Sequence, residues 1–375
     1  MSLVLRPLEP ADVPGLSLLH ARLYPGASPA LYATYALEML FRNPWADAAI
    51  PSWVAELDGR VVGALGVVPR RMRLGERSLR VAVSCQLMAD PDRGSGLVAL
   101  ELLRRFFAGP QDLSIADGAN DASRRLWEAS GGTASALHSL HWIRLLRPAQ
   151  GLLGLARGRW RKVSAVAAPF AAMLDACVGS RSSAPYAEAP LDAATLREAL
   201  GGLRQYSLKP DYDAGSLDWL LEQARAKRRH GELQACLLRE ANSAIAGWFL
   251  YYLNDSMSKV LQVHALEGAE PGAERAVLDH LFQHAWRRGA TAIEGRMEPR
   301  LARMLGQRHC LFHSTSAFAL IHSRDAEVLG ALARGDAFFS RLEGEWWMRF
   351  SGEPRAAVIS PGASRKVMTL QPALR

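Results

Sequence analysis

The residues best suited to bind a charged ligand are Arg93–Val98, which read Arg-Gly-Ser-Gly-Leu-Val. A mostly apolar segment, Val81–Ala89, precedes them and predicts a buried strand, whereas the leucines that follow have helical spacing. Two glycines between a strand and a helix leave backbone N–H groups accessible, and the helix N terminus adds partial positive charge. Such a turn can hold a pyrophosphate, with Arg93 as a charged donor. A Gly-x-Gly turn without any ligand is equally compatible with this pattern.

A second segment reads Asn120-Asp-Ala-Ser123-Arg-Arg-Leu-Trp127. Together the two segments resemble the acyl-CoA motifs of the GNAT superfamily of N-acyltransferases. In that family a strand leads into Arg/Gln-x-x-Gly-x-Gly/Ala at a helix start, and Asn-x-x-Ser/Ala-x-x-Leu-Tyr follows. Two positions depart from the pattern. Val98 replaces a small residue, and Trp127 replaces a tyrosine that often protonates the leaving thiolate, which an indole cannot do.

The resemblance implies a mixed sheet in which two parallel strands splay, so that an acyl-CoA thioester enters the gap between them. It places the backbone N–H that polarises the thioester carbonyl at Leu87, Met88 or Ala89. It places the contacts to the phosphates at Arg93, Gly94, Ser95, Gly96, Leu97 and Val98. Further cofactor contacts are implied at Asn120, Ser123 and Trp127. The co-substrate would be acetyl-CoA or another acyl-CoA.

Transfer of an acyl group to an amine also needs a group that accepts the amine's proton. Asp117 ends the strand beside the gap and is one candidate, although it could instead cap the turn into the next helix. His264 lies on the corresponding strand of the second half and could face the acceptor, or pack in the core. Cys85 would need an activating base to act as a nucleophile, and a buried thiol fits the sequence as well.

The sequence predicts no metal site. Its cysteines, Cys85, Cys177, Cys236 and Cys310, are far apart and form no C-x-x-C motif. Two histidine pairs, His138 with His141 and His309 with His313, have no acidic residue nearby in the sequence, and we read no metal site from them.

The predicted elements of the first half recur in the second. In the first, a hairpin turns at Asp58-Gly59, and Gly63 within its second strand suggests a bulge or a close approach. From 191 onward the order helices, hairpin, long strand, helix and strand returns, which indicates two copies of one fold. We therefore predict an α/β (mixed α+β) protein with two tandem GNAT-like domains, each a central mixed, splayed β-sheet flanked by helices.

The predicted boundaries are 1–145 for the first domain, 146–190 for a basic, alanine-rich linker with a helix, 191–350 for the second domain and 351–375 for a flexible tail. We expect a final strand of the first sheet near Ala136–Leu145, and Trp346–Phe350 to close the second. The second half lacks the phosphate turn, because Glu267, Glu270 and Glu274 stand at the equivalent place and would repel a pyrophosphate. The second half would then complete the acceptor pocket or only stabilise the first.

The composition is that of a globular protein, with 49% hydrophobic residues and a formal net charge of +8. The excess of positive charge suits an anionic partner such as coenzyme A, but solvated surface arginines explain it equally. A basic cluster around Trp160 suggests a linker, a membrane-surface contact or a nucleic-acid contact. We expect no nucleic-acid partner and no membrane span, and the N-terminal residues lack the apolar core of a signal peptide, which favours a cytoplasmic location.

The sequence thus predicts an enzyme that moves an acyl group from coenzyme A to the amine of a small metabolite or amino sugar by direct attack. One alternative is an aminoacyl-tRNA-dependent peptidyltransferase of the tandem GNAT type, against which the phosphate turn argues. The other is a non-catalytic pseudo-acyltransferase that binds acyl-CoA or a protein partner, which Val98 and Trp127 would favour.

Overall fold

The computed structural model of the protein describes residues 3–150, 186–266, 272–314 and 317–350. Most of the predicted linker, the predicted tail, and Glu267 and Glu270 of the acidic stretch lie outside the described residues.

The first sheet is built mainly from the N-terminal half of the chain. Its spatial order is β1-β2-β3-β4-β5-β15-β6, with β9 paired to β3. Within the described residues, β4 and β5 form its parallel pair, and the other pairs are antiparallel. The strands are β1 (Leu3–Pro7), β2 (Trp53–Leu57), β3 (Arg60–Leu74), β4 (Arg77–Ala89), β5 (Leu113–Ala119), β6 (Thr133–Ala134), β9 (Leu208–Pro210) and β15 (Phe318–His322).

Helices cover both faces of this sheet because its long central strands are apolar on both sides. Along β3, Ala64 and Val68 belong to a core that includes α1 (Val13–Leu23) and α2 (Pro29–Ala36). Leu65 and Val67 belong to a second core with α3 (Ser95–Phe107) and α4 (Asp121–Ala129). The alternation places α1 and α2 on one face and α3 and α4 on the other.

The second sheet has the order β14-β7-β13-β12-β11-β10-β8. Here too one parallel pair, β12 with β13, stands among antiparallel pairs. The strands are β7 (Leu140–Leu145), β8 (Ala187–Pro190), β10 (Glu232–Arg239), β11 (Ile245–Leu253), β12 (Ser258–Ala265), β13 (Ala292–Arg296) and β14 (Leu311–Ser314). The helices are α5 (Ala193–Gly201), α6 (Ala214–Ala226), α7 (Ala273–Arg287), α8 (Ala302–Gln307) and α9 (Ala326–Ala333). Two mixed sheets flanked by helices confirm the predicted fold class.

The two halves exchange a strand. β7 comes from the first half but lies between β13 and β14 of the second sheet, and β15 comes from the second half but pairs with β5 of the first. The expectation that the segment near Ala136–Leu145 ends the first sheet is therefore wrong, because the free edge of β13 takes up its strand. The division of the chain at 145 and 191 stays a prediction.

The segment Trp346–Phe350 was expected to close the second sheet, and this is also wrong. It forms turns instead of a strand. The Trp346 N–H donates to Asp117 of β5, and the Phe350 ring lies 5.1 Å from the Tyr32 ring of α2. Across the described ranges, no helix is both long enough and apolar enough to span a membrane.

Candidate functional site

A gap opens between the parallel strands β4 and β5. The two strands are paired only where Val81–Val83 face Leu113–Ile115, yet β4 continues to Ala89 and β5 to Ala119. Beyond Val83, β4 stays paired with β3, for example Met88 with Ala64. The far end of β4 thus follows β3 and separates from β5, which produces the splay that the resemblance to GNAT proteins implied.

A β-bulge lies in β4 at this gap. The register with β3 shifts between the pairs Gly66–Cys85 and Ala64–Met88, so β4 has an extra residue there. Gln86 has φ 52°, in the left-handed region. Leu87 and Ala89 are partly exposed, whereas Met88 is buried. The bulge takes backbone groups at Gln86 and Leu87 out of the regular ladder, beside the gap, where a substrate carbonyl would need a donor.

The predicted phosphate turn lies at the end of β4. Gly94 has φ 72° and is the N-cap of α3, which begins at Ser95. The N–H groups of Leu97 and Val98 donate to Gly94 O. The N–H groups of Ser95 and Gly96 have no acceptor in the described part of the chain, as expected for the first turn of a helix. A Cβ added to Gly96 would meet no atom within 4 Å, so the space in front of this turn is open.

Val98 points away from that open space. It is buried, and a Cβ built on Gly63 would lie 2.5 Å from its Cγ1. The methyl groups of Val98 therefore fill the space that Gly63 leaves in β3. This confirms the close approach predicted at Gly63.

Two carboxylates beside the turn are paired with a cation. Arg22 of α1 donates to Asp90 at 2.6 Å and also to Asp92. Arg22, Asp90 and Arg93 border a cleft of about 360 Å³ between α1 and the β2–β3 turn. This cleft is on the β3 side of β4 and is separate from the β4–β5 gap.

Asp117, the predicted base, is enclosed and paired. Its Oδ2 accepts from Arg296 of β13, and its Oδ1 accepts from the N–H of Trp346 at 2.6 Å. Burial would raise the pKa of Asp117, but the charge of Arg296 together with the hydrogen bonds of Glu345 and the Trp346 N–H outweighs it, and the pKa is lowered. A carboxylate whose oxygens are both engaged and whose pKa is lowered is poorly suited to take a proton from an amine.

Glu345 is the acidic residue that the sequence prediction missed. Its Oε1 accepts from the N–H of Gly118 at 3.0 Å, its Oε2 accepts from the N–H of Asp117, and Arg349 lies 3.0 Å from Oε1. Gly344 brings the segment against β5, since a Cβ there would fall 2.0 Å from Asp117 Cγ. Burial, reinforced by the negative charge of Asp117, raises the pKa of Glu345 to about 8. Two adjacent carboxyl groups with pKa values moved apart are an arrangement typical of acid–base sites.

Cys85 lies on β4 on the same face of the sheet. It is buried, and burial raises the pKa of its thiol to about 12, so it is not a thiolate at neutral pH. On this face Lys227 Nζ lies 4.6 Å from the ring of Tyr35, and burial lowers the pKa of Lys227 to about 8. Arg70 is held between the rings of Trp45 and Trp219, at 5.2 and 5.7 Å. The surroundings of Cys85 are therefore aromatic and cationic.

No protein-family model and no curated protein matches the chain. Several solved structures resemble the chain in fold. A probable N-acyltransferase from Enterococcus faecalis V583 superposes with a TM-score of 0.57 at 9% identity, over 86% of this chain and 72% of that chain. A GCN5-related N-acetyltransferase from Anabaena variabilis ATCC 29413 gives 0.56 at 11% identity, over 88% and 75%. One from Kribbella flavida gives 0.54 at 12%, over 87% and 73%.

The chain has the GNAT fold. At these identities the likeness establishes the fold and not the reaction. The β4–β5 gap with its glycine turn therefore has to support any assignment of activity by its own geometry.

The second GNAT-like motif, at the start of α4, is only partly at the gap. Asn120 is the N-cap of α4, where its Oδ1 accepts from the N–H of Ser123 at 2.9 Å. Trp127 is enclosed in the core between α3 and α4, with its ring 4.9 Å from Phe107 and 6.3 Å from Phe106, both edge-on. The indole is thus a packing group in this structure. A cofactor contact by Trp127 stays a prediction.

His264 is a core histidine. Its Nε2 lies 2.6 Å from Gln205 Nε2, and its ring packs against Tyr206, Trp248 and Phe338. Burial lowers the pKa of His264 to about 3, so the imidazole is neutral at physiological pH. The structure does not bring His264 together with Asp117.

The second GNAT-like half has a corresponding gap between β12 and β13, which are paired only at Ser258–Ile293 and Lys259–Glu294. Glu294, at the last paired position beside this gap, is the centre of an ion-pair cluster. It accepts from Arg341 at 2.5 Å and from Lys259, and His141 Nδ1 lies 3.3 Å away. Arg341 and Lys259 thus compensate the negative charge of Glu294 beside the second gap.

Proposed function

We propose that the chain is an acyl-CoA-dependent N-acyltransferase, with acetyl-CoA or another acyl-CoA as donor and the amine of a small metabolite or amino sugar as acceptor. The observation that carries the proposal is the β4–β5 gap, which has a bulge at its edge and a glycine turn with a helix start at its end. The thioester would lie in the gap and the pyrophosphate at the N–H groups of Ser95 and Gly96.

In this reaction the amine nitrogen attacks the thioester carbonyl, a C–N bond forms and the C–S bond breaks. The bulge at Gln86 and Leu87 supports polarisation of the carbonyl by a backbone N–H. Glu345 is our candidate for the group that accepts the amine's proton, because it lies against β5 and its pKa is raised to about 8. Coenzyme A leaves as a thiolate that takes a proton from water, since Trp127 offers no acidic group.

The donor site is tested by calorimetry with coenzyme A. We expect Gly96→Glu to weaken binding by about 10- to 100-fold, because a carboxylate at the turn repels the pyrophosphate and removes charge-assisted hydrogen bonds. Gly96 is exposed with open space around it, so the variant should fold normally. Gly201→Glu is the matched control, because Gly201 is also exposed and unobstructed, at the end of α5.

Equal affinity in wild-type and Gly96→Glu protein would overturn the donor site. Transfer itself is tested by following free thiol release from acetyl-CoA across a panel of amines. Tight coenzyme A binding without thiol release for any amine would favour the non-catalytic acyl-CoA-binding alternative.

A further inference from the structure

A cluster of metal-ligand side chains lies at the edge of the second sheet, apart from the β4–β5 gap. It consists of Glu188 on β8, Cys236 on β10 and His284 on α7, whose ligand atoms all lie within 4.8 Å of one another. Cys236 and His284 are buried and Glu188 is exposed. Three elements that are distant in the sequence thus converge on one point.

The strand register explains why these side chains meet. In the antiparallel pair of β8 and β10, Glu188 is opposite Leu238, and Cys236 is two residues along the same strand. Residues opposite each other and residues two apart share a face of a sheet. Cys236 and Leu238 lie in the core with Leu281 and Ala285 of α7, so Glu188 is directed to the face that α7 covers.

The surrounding groups also resemble the outer shell of a metal site. The hydroxyl of Tyr251 lies 2.8 Å from His284 Nδ1, which fixes the ring and leaves Nε2 as the ligand atom. His280, one helical turn before His284, places Nδ1 3.3 Å from Glu188 Oε1. His280 Nε2 is buried and has no hydrogen-bond partner among the described residues.

We propose that Glu188, Cys236 and His284 bind one Zn²⁺ ion. Thiolate and imidazole favour zinc over calcium or magnesium, which prefer oxygen ligands. In a tetrahedral site the ligand atoms are about 3.5 Å apart, so the cluster closes by a shift of about 1 Å, which the exposed Glu188 side chain can supply. Binding releases the thiol proton of Cys236 to solvent, and water takes the fourth position. The ion ties the edge strand β8 to β10 and α7.

Sequence spacing could not reveal this site. The ligands stand at 188, 236 and 284 and form no short motif, whereas metal patterns are read from closely spaced pairs. The prediction that the chain has no metal site rested on those pairs alone.

The test uses the full-length protein, stripped with a chelator and titrated with Co²⁺ and then Zn²⁺. We expect one metal ion per chain and an intense near-ultraviolet thiolate-to-cobalt band that Zn²⁺ removes. Cys236→Ser should lose the band. Cys310→Ser should keep it, because Cys310 is another buried free thiol in the same core. Tyr251→Phe should keep the band but weaken binding about 10-fold, as loss of an outer-shell partner does.

A wild-type protein that gives no thiolate band with Co²⁺, or a band that persists in Cys236→Ser, would overturn the proposal. If Cys236→Ser does not fold, His284→Gln takes its place. That variant must lose at least about 10-fold in Zn²⁺ affinity, and unchanged affinity would contradict the site.

Discussion

The β4–β5 gap and the β12–β13 gap are formed by similar splayed pairs of parallel strands, but the charged side chains beside them are arranged differently. In each sheet one parallel pair splays after two or three paired residues. In the β4–β5 gap, Asp117 forms an ion pair with Arg296, and the pKa of the neighbouring Glu345 is raised. Beside the β12–β13 gap, Glu294 is paired with the cations Arg341 and Lys259. Burial opposes its ionisation, but the hydrogen bond from His141 and the charges of Arg341 and Lys259 lower its pKa.

Because both sheets contain a splayed pair of parallel strands, the splay alone does not identify an active site. In the first gap Glu345 lies next to Asp117 and has a raised pKa, which under the proposed function suits it to proton transfer. Beside the second gap the carboxylate of Glu294 is paired with cations, and we expect this ion-pair cluster to stabilise the fold. The exchange of β7 and β15 requires the two sheets to fold as one unit, so the second half supports the first even without chemistry of its own.

The largest effect is expected at the first gap. Glu345→Gln should lower kcat by about 10²- to 10⁴-fold, the usual cost of losing an acid–base group. Coenzyme A affinity should change little, since Glu345 is hydrogen-bonded to β5 and not to the glycine turn. Unfolding stability is measured alongside, because the glutamine amide nitrogen cannot accept the N–H bond of Asp117 or Gly118 as a carboxyl oxygen does. Steady-state kinetics, calorimetry and denaturant unfolding provide the three readouts. A kcat within a few-fold of wild type would remove Glu345 from the mechanism.

The matched change in the second gap should have the opposite outcome. Glu294→Gln leaves Arg341 and Lys259 without their carboxylate, and breaking a buried ion pair in this way costs about 3–5 kcal/mol. The free energy of unfolding is measured by urea denaturation. Coenzyme A affinity of the folded fraction should equal that of wild type. A stability loss below about 1 kcal/mol would mean that the ion-pair cluster of Glu294 does not stabilise the fold.

The two glutamates should also respond oppositely to pH. Because the folded pKa of Glu345, about 8, is above the unfolded value of 4.5, its contribution to stability is complete below pH 4.5 and is lost as pH rises to 8. Because the folded pKa of Glu294 is below the unfolded value, its contribution is present above pH 4.5 and is lost as pH falls. Each single group can change stability by at most about 1.4 kcal/mol per pH unit.

The measurement is the free energy of unfolding of wild-type protein minus that of each glutamine variant between pH 3 and 9, a range that extends below the unfolded pKa of Glu294. The difference should fall with rising pH for Glu345→Gln and fall with decreasing pH for Glu294→Gln. If the stability difference changed with pH in the same direction for both variants, the two glutamates would not differ in the way proposed here.

The smallest effect is expected at Trp127. Since the indole packs between α3 and α4, Trp127→Phe should cost only packing energy, about 1–2 kcal/mol of stability, with turnover near wild type. Trp127→Tyr should raise turnover or leave it unchanged. If Trp127→Phe lost more than about 100-fold in turnover with cofactor affinity and stability intact, Trp127 would have a role in the chemistry.

Local patterns predicted the elements around the β4–β5 gap well. The apolar run of β4, the glycines at 94 and 96 and the close approach at Gly63 depend on neighbouring residues, and the structure reproduces them. The splay itself came from the resemblance to GNAT proteins. The repeat of elements was visible because hydrophobic periodicity and turn residues recur.

Glu345, the proposed proton acceptor, was missed because its position depends on contacts that are distant in the sequence. Glu345 and Asp117 are 228 residues apart, and Trp346–Phe350 has the apolar composition of a strand. The segment forms turns because Gly344 and Glu345 bind β5 instead of a sheet edge. A signal was nevertheless present, since Glu343 and Glu345 flank a glycine within an aromatic run, where a buried carboxyl group is unexpected.

The central claim is that only the first gap binds the cofactor, and stoichiometry tests it most directly. Native mass spectrometry of the full-length protein with coenzyme A should show one molecule per chain, and Gly96→Glu should remove it. Two coenzyme A molecules per chain, or one that remains in Gly96→Glu, would contradict the account.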